Sequence, residues 1–241
     1  MDKKLIIFDK DGTLLDFDAF WLPVSEAALS YIIEYAKLPS SVVSEIFDAF
    51  DVRDGVTSIT SELCHGTYAS MGRVIFSVIK RHTDALSENE IIALTREAYH
   101  KYVDKGEIKP TSPKLYEALE KLYDSGIALG VVTTDAPLVT EECLKKLGIR
   151  ELFTFVLSDD GVMPAKPSPA SLDFVREKLS LSKNEILMVG DTLTDISYAK
   201  AGGVQVVGVA KTEENAEILR NGGADLVIHD ASKLCEVLSA L

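Results

Sequence analysis

Apolar and polar positions alternate in two distinct rhythms along this chain. Residues 5–8, Leu-Ile-Ile-Phe, form an apolar run too short for a helix and closed by turn residues, the pattern of a buried strand. The run leads into Asp9-Lys10-Asp11-Gly12-Thr13, where a period of two aims both carboxylates to one side of the strand end. The same period would turn Lys10 away from both acids and leave it neutral for chemistry. An apolar strand and an ordinary Asp-Gly turn would produce such a segment too, so the rest of the chain decides its meaning.

From Asp16 to Lys109 the strand signal vanishes. Helical spacing predicts helices over Trp21–Lys37 and Ser40–Phe50, a mostly helical Thr57–Lys80 in which Gly66 and Gly72 weaken the pattern, and a helix opened by the capping box Ser87-Glu88-Asn89-Glu90. Residues 16–109 therefore read as a helical bundle inserted after the first strand.

After Pro110 the rhythm changes. Ser112 and Pro113 are placed to start a helix as N-cap and first helical residue. Strands are predicted over Ile127–Val132, Phe153–Leu157, Ile186–Val189, Val204–Val209 and Leu226–Ile228, with helices between them. Alternating strands and helices predict an α/β fold with a Rossmann-like parallel sheet built from residues 1–15 and 110–241. Ligands of such sheets gather at the carboxyl ends of the strands. The polar clusters fall there: Asp9/Asp11, Thr133-Thr134-Asp135, Lys166 before Pro-Ser-Pro, and Gly190-Asp191 with Asp195.

Composition narrows the function. The 241 residues carry a formal charge of −13, which argues against nucleic acid or an anionic membrane surface as partner. A small anionic substrate is compatible, because the far field is screened over roughly 8–10 Å. No apolar run approaches the length of a membrane span, and the four apolar residues after Met1-Asp2-Lys3-Lys4 are too few for a signal-peptide core. Cys64, Cys143 and Cys235 are scattered, which argues against a disulfide framework or zinc site and leads us to expect a cytoplasmic protein. His65, His82, His100 and His229 show no metal-like spacing.

In this order and spacing the clusters resemble the four motifs of the haloacid-dehalogenase-like (HAD) superfamily, and phosphoglycolate-phosphatase-like members most. The insert resembles the family's C1-type helical cap, which closes over the substrate and reads the leaving group. The resemblance implies a Mg²⁺-dependent phosphatase acting on a small phosphorylated metabolite. Asp9 would be the nucleophile and Asp11 the general acid and base. Lys166, Thr133, Thr134 and Gly12 would hold the phosphoryl group. Asp9, the backbone carbonyl of Asp11, Asp191 and, directly or through water, Asp195 would bind the metal. The chemistry is coherent on its own terms: a carboxylate can split phosphate-ester hydrolysis into two easier steps. Anion attacking anion costs ~4 kcal/mol per charge pair about 4 Å apart at an effective dielectric near 20, so cations are required. Many relatives carry Phe or Leu where this chain has Lys10. A phosphosugar mutase on the same aspartates, or a non-catalytic binding protein on this fold, remain alternatives, and oligomeric state is left open.

Overall fold

The computed structural model describes residues 3–240, and the chain divides into two compact units, residues 1–17 with 108–241 and residues 18–107.

In the larger unit a six-stranded sheet is built from β1 (Leu5–Phe8), β4 (Ala128–Val132), β5 (Phe155–Leu157), β6 (Ile186–Gly190), β7 (Gln205–Val209) and β8 (Leu226–Ile228). Its order is β5-β4-β1-β6-β7-β8 and every pairing is parallel, with Leu5 opposite both Ala128 and Ile186. The fold is thus the expected Rossmann-like α/β arrangement. Strands β1 and β6 are buried at every position, which is why they are unbroken apolar runs rather than alternating ones. One face contributes Ile6, Phe8, Leu129, Val131, Leu187 and Val189 to a core shared with Leu115, Leu119 and Leu122 of α6 (Leu115–Asp124). The period of two selects those positions. Helices α9 (Leu193–Gly202) and α10 (Glu213–Gly222) pack against β6, β7 and β8. From β1 the strand order runs one way through β4 and β5, then the other way through β6, β7 and β8. The switch point, where parallel sheets open a crevice for ligands, therefore lies at the end of β1.

The smaller unit is mainly helical: α1 (Phe17–Tyr35), α2 (Val42–Ala49), α3 (Glu62–His65), α4 (Tyr68–Ile79) and α5 (Glu88–Tyr102). Helix α1 starts four residues before the expected Trp21 and runs through Pro23. Proline cannot donate to the carbonyl of Ala19, and the Glu107 N–H takes that acceptor at 3.2 Å. Gly72 sits where α4 meets α5, and a Cβ there would lie 2.8 Å from the Ile92 Cα. Buried Tyr99 of α5 donates to the Ser25 hydroxyl at 3.0 Å.

Three expectations are corrected. The segment 51–57 is not strand-free: β2 (Val52–Arg53) and β3 (Val56–Thr57) pair antiparallel around the Asp54-Gly55 turn. The stretch 57–80 holds two helices, with Thr67 as a new N-cap after Gly66. Ser112 does not cap α6 at its first turn. That helix begins at Leu115, and the Ser112 hydroxyl accepts from the Lys114 N–H at 3.3 Å. Ser87 and Glu90 form the reciprocal capping box at the start of α5, as expected. Among the described residues no helix is long and apolar enough to cross a membrane.

Candidate active site

Asp9 follows the last residue of β1, and its N–H donates to the Val189 carbonyl at 2.9 Å, so the backbone is still held by the sheet as it leaves it. Asp191 follows β6 directly, and Asp195 lies in the first turn of α9. One carboxylate oxygen from each of Asp9, Asp191 and Asp195 lies within 4.8 Å of the others, and all three residues are buried. The loop after β5 brings in Lys166, whose ammonium donates to Asp9 Oδ1 at 2.5 Å and to Asp195 Oδ1 at 2.6 Å. The Lys166–Pro167 peptide is cis.

Two of the acids are also held by threonines. The Thr13 hydroxyl donates to Asp191 Oδ1 at 2.9 Å. Thr192, the N-cap of α9, donates its N–H (3.1 Å) and hydroxyl (2.7 Å) to Asp195 Oδ2, while the Asp195 N–H returns to the Thr192 hydroxyl. This capping box commits one oxygen of Asp195 to the helix and the other to Lys166. Gly12 adopts φ +79°, and a Cβ built on it would lie 2.0 Å from Asp191 Oδ2. Only glycine therefore lets the loop after β1 turn here and admits the acid from β6.

Charge in this cluster does not balance. Burial pushes the Asp9 carboxyl up to about 7; Lys166 opposes the rise, and the neighbouring Asp195 and Asp11 charges reinforce it. Asp191 is raised well above the ordinary range by burial and then by Asp9 and Asp195. Burial works against the charge on Lys166, but Asp195 and Asp9 more than offset it and hold the ammonium protonated. Lys166 is stabilised while Asp9 is not, because one ammonium is shared between acids that also repel each other. Three buried carboxylates around one lysine, with oxygen donors only, suit a hard divalent cation.

The remaining expected residues are placed less tightly. Thr133 is buried at the end of β4, its hydroxyl accepting the Asp135 N–H at 3.2 Å, whereas Thr134 is exposed. The Asp11 carboxylate stands outside the group of three acids. Asp159 and Asp160 accept backbone N–H groups of Gly161 and Val162 within their own loop.

Lys10 is a correction. Its side chain is fully buried, and it does not point away from the acids: the ammonium lies 2.7 Å from Asp11 Oδ1 and 3.1 Å from Asp135 Oδ2. Strand geometry ends at Phe8 and the chain bends at Lys10, so alternation no longer governs the direction of that side chain. Thr13 and Thr192 were also missed as partners of the acids. The Thr-x-x-Asp spacing of residues 192–195 is a capping signal that would have found the second of them.

A family model described as haloacid dehalogenase-like hydrolase matches residues 6–209. A phosphoglycolate phosphatase of Vibrio parahaemolyticus is 31% identical over 240 residues, covering 99% of this chain and 97% of that protein. One from Neisseria meningitidis serogroup A is 29% identical over 206 residues, covering 85% and 79%. Among solved structures, one described as a "predicted phosphoglycolate phosphatase" from Haemophilus somnus superposes with a TM-score of 0.71 at 22% identity over 99% of both chains. A haloacid dehalogenase-like family hydrolase from Streptococcus pneumoniae gives 0.68 at 20% identity over 99% of this chain and 98% of that one.

Proposed function

The chain belongs to the haloacid dehalogenase-like hydrolase family, and from that premise we propose that it is a Mg²⁺-dependent phosphatase of small phosphorylated metabolites. Phosphoglycolate is the first candidate substrate, on the names of its full-length relatives. The observation that supports this reading most is the cluster at the end of β1: Asp9, Asp191 and Asp195 around the Lys166 ammonium, at the switch point of the sheet.

In this reading an Asp9 carboxylate oxygen attacks phosphorus and the bond to the leaving oxygen breaks. The leaving oxygen takes a proton from Asp11, giving the free alcohol and a phosphorylated Asp9. Asp11, now a carboxylate, then removes a proton from water as the water oxygen attacks phosphorus. The bond to Asp9 breaks, inorganic phosphate leaves, and Asp11 is again protonated. Lys166 holds Asp9 in line, and Thr133 with the backbone after it donates to the phosphoryl oxygens. Thr134 in that backbone and Gly12 in the loop after β1 would complete the phosphoryl cradle. Asp9, Asp191 and the Asp11 carbonyl would hold Mg²⁺, with Asp195 binding directly or through water. When bound, the ion supplies the positive charge that lets a carboxylate meet a phosphate dianion. The helical unit 18–107 is, in this reading, the family's C1-type cap.

Phosphate release from a panel of phosphorylated metabolites, with and without Mg²⁺, tests the assignment. Asp9→Asn is expected to abolish turnover of p-nitrophenyl phosphate while circular dichroism stays unchanged; near wild-type turnover would remove Asp9 as nucleophile.

A further inference from the structure

Lys10 is a fully buried lysine between two residues assigned to chemistry, and the reaction described above does not use it. Burying an ammonium is costly unless it is paired, so its retention in the interior requires partners. It has two, from different strand ends: Asp11 Oδ1 at 2.7 Å in the loop after β1, and Asp135 Oδ2 at 3.1 Å in the loop after β4. Among the described residues Asp135 Oδ2 makes no well-aligned hydrogen bond of its own, so the ammonium is its counterion. Asp135 is itself anchored, with Oδ1 accepting the Ala136 N–H at 2.8 Å and its own N–H donating to Thr133. Its carbonyl accepts the Asp159 N–H at 3.0 Å. The Lys10 carbonyl meanwhile accepts from Leu14 and Leu15, both at 2.9 Å, which closes the turn carrying Asp11. Lys10 is therefore tied at both ends to hydrogen-bonded backbone, and its two carboxylate partners are exposed to the same degree.

We propose that Lys10 is a positioning residue for proton transfer: bridged to Asp135, it holds Asp11 by Oδ1 and leaves Oδ2 to carry the proton to and from the reacting oxygen. This rests on the phosphatase reading and deepens it. The loss of kcat/KM on removing Lys10, which spans the steps up to departure of the leaving group and excludes the water attack common to every ester, must then depend on how much the leaving group needs a proton. An alkoxide cannot leave without one, whereas p-nitrophenolate can. A purely structural role would slow both substrates alike.

The experiment compares wild type, Lys10→Met and Asp135→Asn, with Mg²⁺, on p-nitrophenyl phosphate and on the better of 2-phosphoglycolate and glycerol 3-phosphate. Methionine fills the volume of the lysine stem without its charge. For Lys10→Met, kcat/KM on the alkyl ester is expected to fall about 10- to 100-fold, part of the 10²–10⁴ that a positioned acid contributes. On p-nitrophenyl phosphate kcat/KM should fall less than about threefold. Asp135→Asn, which loosens the far end of the bridge, is expected to show the same selectivity with a smaller loss. Equal losses on both esters, or none, overturn the assignment of Lys10 while leaving the phosphatase reading standing. If Lys10→Met does not fold, the ester selectivity of Asp135→Asn decides in the same way. Wild-type protein that releases phosphate from no ester overturns both.

Discussion

Asp191 is held from one side by the Thr13 hydroxyl and fills the space that a side chain at residue 12 would need. Its position is thus set before any cation arrives, the preorganisation that a small, geometrically strict ion demands. Asp191→Ala keeps the turn at Gly12 free of clash and removes one of three charges. We expect the Mg²⁺ concentration for half-maximal phosphate release to rise at least tenfold; an unchanged metal dependence would remove Asp191 as a ligand. The acids of this cluster were legible in the sequence because each follows an apolar strand directly or opens the next helix. Lys10 was not, because its direction depends on a bend that residue types at 9–12 do not encode. Its two carboxylate partners are one and 125 positions along the chain, and no local spacing rule links it to the second.

At the scale of elements, the start of α9 serves two purposes with the same atoms. Thr192 caps the helix and also holds the Asp195 oxygen not used by Lys166. Thr212 caps α10 in the ordinary way, accepting the Asn215 N–H at 3.2 Å. Thr192→Ala and Thr212→Ala are each expected to cost about 1 kcal/mol, lowering the melting temperature by about 2–4 °C for a chain of this size. Only Thr192→Ala should also lower phosphate release, by about tenfold or more, because it frees Asp195 to turn; equal activity in the two variants would separate the cap from the site. Element types were readable wherever a period ran for three turns or a strand was buried on both faces. The β2–β3 hairpin was not, since strands of two residues contain no period to detect. The late start of α6 has a similar cause: Ser-Pro is a good opening signal, but here the chain turns once more before Leu115 reaches the core.

For the whole molecule, the buried acids link stability to pH and to metal. Asp9 titrates near 7 in the fold against about 3.9 in an unfolded chain, so between those values the folded state binds more protons. The stability associated with this group is therefore complete below about pH 4 and declines as pH rises to about 7. The raised Asp191 acts in the same direction. We expect the chelator-treated protein to melt at lower temperature at pH 7.5 than at pH 5.5. Saturating Mg²⁺ should recover several degrees at pH 7.5, since a ligand at 100 times its Kd adds about 2.7 kcal/mol. Asp191→Ala should be at least as stable as wild type without metal and gain little from Mg²⁺. Melting curves that ignore both pH and Mg²⁺ would count against a cation site in this cluster.

The position of β1 in the sheet has a consequence for biosynthesis. It is one of the two middle strands, yet Leu5 pairs with Ala128 on one side and Ile186 on the other. At about 5–20 residues per second a ribosome needs on the order of 10 s to deliver the nearer neighbour. Throughout that interval four adjacent apolar residues have neither edge satisfied. In the nascent chain these residues therefore stay unpaired until the first neighbouring strand has been made.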